Sequence, residues 1–174
     1  MTIESKNLNL VPCNQDILQA AIDGNEALSK ILNCNISENW SEFGPDIFPF
    51  VLKMISENPK DQAWWTYFPI HRKDNQLIGS GGYKGSPTAE GSVEIGYEIA
   101  TAYRNKGFAT EMAKSLIIHA FNHDYIKIIH AHTLANENAS TKVLSKCGFV
   151  KVEELIDPND GAIWKWSISK ENWK

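Results

Sequence analysis

"SVEIGYEIATAYRNKGFATEM", residues 92–112, changes character halfway along. Its first half, SVEIGYEIA (92–100), is rich in aromatic and β-branched residues and reads as a strand. From Phe108 the period becomes helical, with Phe108, Met112, Leu116, Ile117 and Phe121 on one apolar stripe and Lys114 off it. Arg104, Lys106 and Gly107 sit at the boundary. The first turn of a helix carries amides without intrahelical partners, and its aligned peptide dipoles leave partial positive charge there. Together these make an anion site. Gly107 has no Cβ and lets an anion approach the backbone closely. Arg104 and Lys106 add charge, and an arginine can also contact a phosphate bidentately. Taken alone, the same text also describes a loop glycine that follows two solvated cations.

The flanking sequence supplies the architecture. Residues 7–11 alternate as a short first strand. Residues 15–32 carry Ile17, Leu18, Ala21, Ile22, Leu28, Ile31 and Leu32 on a helical period, interrupted near Gly24. Residues 46–57 form a second helix, in which Pro49 fits only within the first turn. Residues 63–70, 76–84 and 92–100 make an antiparallel meander with turn-like separators. Residues 126–134 are a strand, and 139–147 a short helix released at Gly148. Two last strands are joined through DPNDG. The order β-α-α-β-β-β-α-β-α-β-β predicts one α/β (α+β) domain over residues 1–174. Its mixed, mostly antiparallel sheet has about seven strands and about four flanking helices.

Bulk properties narrow the function. The 174 residues suit one domain. A formal charge of −4 argues against coating nucleic acid or an anionic membrane. Three scattered cysteines form no metal-ligand spacing and suit a reducing compartment, so a cytoplasmic protein without a metal is expected. The first ten residues lack the pattern of a signal peptide, and no apolar run nears the roughly 20 residues that span a bilayer. GSGGYKGS (79–86) lacks the Lys-Ser/Thr of a P-loop and reads as a hairpin strand.

The 92–112 stretch resembles the acetyl-CoA signature of the GNAT N-acetyltransferase superfamily, [QR]-x-x-G-x-[GA], with Arg104, Gly107 and Ala109 at its defined positions. AHTLANENASTKVLSKCGF (131–149) resembles that superfamily's second block, as found in the branch of ribosomal-protein N-terminal (RimJ/RimL-like) acetyltransferases. Asn138, Ala139, Ser140, Val143, Leu144, Lys146, Gly148 and Phe149 carry this likeness. The likeness is strong from about residue 63 to 168 and weak before it. It implies a sheet splayed in the middle, with acetyl-CoA as co-substrate. Main-chain amides of Arg104, Asn105, Lys106, Gly107, Phe108, Ala109 and Thr110 would hold its diphosphate. Its arm would lie between residues 96–100, including Tyr97 and Ile99, and residues 132–136, with Asn138 bonding it. Asn138 is also an ordinary helix cap.

A primary amine is mostly protonated at neutral pH and must lose a proton before attack. Glu94 and Glu98 share one face of their strand. Glu94 matches a position where relatives carry a general base and is the first candidate; Glu98 and His132 follow. A solvated strand carboxylate is the plain alternative. Where many relatives carry a leaving-group tyrosine, this chain has Leu144, a departure. Ser140 matches a serine proposed for that role. Cys147, on an apolar helix face, reads as a core thiol rather than a nucleophile. Trp64 and Phe68 share one strand face, Trp65 and Tyr67 the other. Trp40 and Phe43 are candidates to line an acceptor pocket. The expected function is acetyl transfer to a protein N-terminus or a small-molecule amine, by a monomer or homodimer. The alternative is a non-catalytic acyl-CoA-binding protein on the same fold.

Overall fold

The computed structural model describes residues 1–173. The strands are β1 (Ile3–Glu4), β2 (Leu8–Pro12), β3 (Asn35–Ile36), β4 (Thr66–His71), β5 (Gln76–Leu77), β6 (Gly79–Tyr83), β7 (Ser92–Ile99), β8 (Ile128–Leu134), β9 (Val150–Asp157) and β10 (Gly161–Ser169). The helices are α1 (Gln15–Asp23), α2 (Asn25–Leu32), α3 (Gly44–Glu57), α4 (Phe108–Phe121) and α5 (Ala139–Lys146). The main path across the sheet runs β1-β2-β4-β6-β7-β8-β10-β9, with β3 and β5 beside β4. Neighbours on that path are antiparallel except β7 and β8.

The exception makes the site. β7 and β8 pair in parallel only at Ser92↔Ile128, Val93↔Ile129 and Glu94↔His130. β7 continues against β6 to Ile99↔Gly79, and β8 against β10 to Leu134↔Ile163. Each strand keeps its outer partner while the facing edges part. This is the splayed centre expected of the sheet, and it leaves main-chain groups at those edges for another extended chain.

Both sheet faces are covered. On one, α4 buries Phe108, Met112, Leu116 and Ile117 against Val93, Ile95 and Ile99 of β7. On the other, α1–α3 pack Leu18, Leu28, Phe48, Val51 and Ile55 against Phe68 and Leu77. Each fully buried side chain of this size stabilises the fold by about 1.5–3 kcal/mol. The two clusters follow the alternation of β4, where Tyr67 joins the first and Phe68 the second.

Several elements depart from the expectation, each for a local reason. Residues 15–32 form two helices, because Gly24 at φ 122° caps both and turns the chain between them. Asn14 fixes the start of α1 by accepting the Ile17 amide at 2.8 Å. Helix α3 begins at Gly44, so Pro49 lies in its second turn rather than its first. The meander starts at Thr66, not at 63, since Pro59–Trp64 is a 3-10 helix. Strand alternation therefore does not reach back to Trp64, which packs with Tyr67 while Trp65 packs beside Phe68. Residues 76–84 divide into β5 and β6.

Candidate active site

The strand-to-helix boundary builds a cradle of amides. Asn105 has φ 61° and Gly107 φ 86°, so left-handed residues alternate just before α4. Such turns point successive N–H groups toward one concavity. The Arg104 amide donates to the Thr101 carbonyl at 3.2 Å. The amides of Asn105 to Thr110 make no well-formed hydrogen bond among the described residues. A Cβ built at Gly107 would meet nothing within 4 Å, so its backbone faces open space.

The cations of the boundary are committed to the fold. Arg104 Nε donates to the Ile99 carbonyl at 2.8 Å, and its Nη2 pairs with Glu42 Oε1 at 2.6 Å. Lys106 Nζ donates to the Ala102 carbonyl at 2.9 Å and lies over the Tyr103 ring. Behind the loop, Asp74 accepts from Tyr103 at 2.9 Å and lies 2.9 Å from His71 Nδ1, while the His71 ring packs on Phe108. These contacts hold the first turn of α4 in place.

A cleft of about 220 Å³ opens from this loop between β7 and α5. Its lining includes Tyr97, Glu98 and Ile99 from β7, Ala109 from α4, and Ser140 and Val143 from α5. Phe43, 67% exposed, stands at its edge with Glu42. The Tyr97 hydroxyl and Ser140 Oγ are 3.4 Å apart across the gap. Burial pushes the Tyr97 pKa well above the usual phenol value. Asn138 is the N-cap of α5, accepting the Thr141 amide at 3.0 Å in a reciprocal capping box. Leu144 is fully buried, and Cys147 is buried beside it, its thiol pushed up to about 11 by burial. A larger groove of about 380 Å³ lies between Lys142 and Lys146 of α5 and Trp164 of β10, away from the amide cradle.

Glu94 occupies the last register pair before the strands part. Its Oε1 lies 2.9 Å from His132 Nδ1 and is in close ion-pair contact with Lys84. Neither contact has hydrogen-bond angles, and this oxygen is otherwise buried without a partner. Burial raises the Glu94 pKa, but Lys84 and His132 together outweigh it, and the net shift is downward. Glu98 faces the cleft but is saturated. Ser41 Oγ, the Glu42 amide (2.9 Å) and Ser80 Oγ (2.8 Å) all donate to its carboxylate. It ties the loop ahead of α3 to the sheet.

Sequence reading missed Lys84, whose amide pairs with the Glu94 carbonyl at 2.9 Å and brings the side chain alongside. Only the β6–β7 register reveals that neighbour. Trp40, considered for the acceptor pocket, is 5% exposed, stacks on Phe48 and meets Phe68 edge-to-face in the core, whereas Phe43 does reach the cleft. No cluster of three or more His, Cys, Asp or Glu with metal-binding geometry occurs among the described residues. No helix among the described residues is long and apolar enough to cross a membrane.

A family profile described as an acetyltransferase (GNAT) domain matches residues 20–150. An uncharacterized N-acetyltransferase of Bacillus subtilis, YjdG, is 25% identical over 85% of this chain and 89% of its own. Among solved structures, the ribosomal-protein-S5-alanine acetyltransferase of Vibrio fischeri superposes with a TM-score of 0.71 at 18% identity, over 100% of this chain and 99% of that one. A spermidine/spermine N-acetyltransferase of Vibrio cholerae gives 0.68 at 19% identity, over 96% of each chain. At such identities these two likenesses concern the fold.

Proposed function

The chain belongs to the GNAT acetyltransferase family, and from that premise we propose an acetyl-CoA-dependent N-acetyltransferase acting on a primary amine by direct attack, with both substrates bound together. The observation that carries this reading is the run of amides from Asn105 to Thr110, unpaired within the described chain and continuous with the opening between β7 and β8. A diphosphate supplies the acceptors those amides lack, and an amide-bearing arm supplies the partners for the parted strand edges. In this reading Asn105 to Thr110 hold the diphosphate, while Tyr97, Ile99 and Asn138 border the arm.

In the reaction, the amine nitrogen bonds to the acetyl carbonyl carbon, the C–S bond breaks with its electron pair going to sulfur, and the amine proton is lost. Glu94, at the apex of the opening, takes that proton directly or through water. Lys84 keeps it ionised and ready to accept. Ser140, on the facing wall, lies where the sulfur departs. Orientation in the cleft supplies much of the acceleration. The acceptor is a protein N-terminus or a small-molecule amine; the Vibrio proteins of similar fold are named for a ribosomal-protein alanine and for spermidine/spermine.

Calorimetry with acetyl-CoA, combined with thiol release over a panel of peptides, amino acids, polyamines and aminoglycosides, tests the reading. Micromolar donor binding and turnover of at least one amine are expected. Absence of donor binding, or binding that Gly107→Val leaves unchanged, overturns it.

A further inference from the structure

Tyr97 and Ser140 come from opposite walls of the cleft, β7 and α5, and bring their hydroxyls to 3.4 Å. A thiolate departing into this space needs a hydrogen-bond donor, and few exist. Among the side chains lining the cleft, only Tyr97, Ser140 and Arg104 carry N–H or O–H groups. Arg104 is engaged by Glu42 and the Ile99 carbonyl. Leu144 is apolar and fully buried, so α5 offers no other hydroxyl to the cleft at that position.

We infer that the Tyr97 hydroxyl is the donor that receives the departing thiolate, with Ser140 Oγ supporting the phenol oxygen. This rests on the acetyl-CoA reading above. A phenol is a better hydrogen-bond donor than an alkyl hydroxyl. Burial keeps the phenol protonated, so it acts by hydrogen bonding and retains its proton. Sulfur keeps the electron pair of the broken C–S bond and takes a proton from solvent on release. The charged or titratable groups facing the pair are the carboxylates of Glu42 and Glu98, the Arg104 guanidinium and the buried Cys147 thiol. Glu42 is paired with Arg104, and the Glu98 carboxylate is turned to the donors of Ser41, Glu42 and Ser80.

The test titrates the thiol of coenzyme A bound to the full-length protein, read by the ultraviolet absorbance of the thiolate. Bound to the unmodified protein, the thiol should ionise about one pH unit lower than when bound to Tyr97→Phe, a tenfold difference. Ser140→Ala should move it in the same direction by less. Phenylalanine preserves the ring that packs against the core. In turnover, Tyr97→Phe should lower kcat by about 10–100-fold with little change in KM for acetyl-CoA. Equal thiol ionisation in the unmodified protein and Tyr97→Phe overturns the inference while the transferase reading stands on its own turnover. If coenzyme A does not bind the unmodified protein, the donor reading fails and this inference with it.

Discussion

Glu94 Oε1 lies 2.9 Å from His132 Nδ1, across the point where β7 and β8 cease to pair. The carboxylate is held at the apex of the opening, between an imidazole and the Lys84 ammonium. Burial works to raise its pKa, and the two partners reverse that. Removing Lys84 removes one of the lowering influences, so the Glu94 pKa should rise. The acidic limb of kcat/KM should then move to higher pH in Lys84→Met, because the ionised base is reached later. Glu94→Gln should reduce kcat by about 10²–10⁴-fold and leave acetyl-CoA affinity intact. Rate profiles against pH for both variants check this. A limb that stays in place in Lys84→Met belongs to another group.

The amide cradle makes a different demand on side chains. Gly107 sits at φ 86° with open space where a Cβ would be. Gly107→Ala should therefore lower stability by only about 1–2 kcal/mol, the strain of a left-handed non-glycine residue. Acetyl-CoA binding should weaken far more, by tenfold or greater. Asn105, at φ 61°, should tolerate glycine and resist valine, whose β-branching suits that region poorly. Thermal unfolding and calorimetry on the same variants separate the two effects.

How much of each feature is legible in the sequence depends on the distance over which it is set. The amide cradle is local. A strand, a glycine and a helical period within 92–112 fix it, and the structure has that order. The break at Gly24 was visible as an interruption, but a helical period cannot say whether a glycine bends one helix or divides two. Pro49 misled because α3 begins at Gly44, two residues before the apolar period marks it, and the Gly44 amide there donates to Ser41 Oγ at 2.8 Å. The surroundings of Glu94 and Glu98 were hidden for a stronger reason. Both lie on the same strand face, yet one meets Lys84 and His132 and the other meets Ser41, Glu42 and Ser80. Those partners come from strand register and from a loop 56 residues earlier in the chain, neither of which periodicity encodes.

Glu98 is a clamp, and its loss should show in the loop it holds. Glu98→Ala leaves Ser41, Ser80 and the Glu42 amide without their acceptor. Amide hydrogen exchange across residues 40–44 should accelerate, since local opening no longer breaks those bonds. The rate profile against pH should keep its acidic limb, unlike that of Glu94→Gln. Protection at 40–44 equal to the unmodified protein would show that the Arg104–Glu42 pair suffices to hold the loop.

The last carboxylate of consequence is remote from the cleft. Glu111, in the first turn of α4, accepts from Ser5 Oγ at 2.7 Å, the Asn7 amide at 2.6 Å and Asn7 Nδ2 at 2.8 Å. It thereby fastens the β1–β2 connection to the helix that carries the amide cradle. Burial raises its pKa, but the Asn7 and Ser5 donors prevail and the net shift is downward. A depressed folded-state pKa means that ionised Glu111 stabilises the native state above its unfolded value, about 4.3. That contribution is lost as pH falls through the folded value. Oε1 accepts two of these bonds and Oε2 the third, so Glu111→Gln keeps one acceptor oxygen and sets an NH₂ group against the donors of the other. It should lower stability at pH 7 by about 1–3 kcal/mol, which for a chain of this size is a fall in Tm of roughly 2–12 °C. Once pH drops below the folded-state value, the carboxyl in the unmodified protein is protonated and the gap should close. Thermal unfolding of both proteins down a pH series decides the matter, and a gap that persists undiminished into acid would mean that packing, not charge, is what Glu111 contributes.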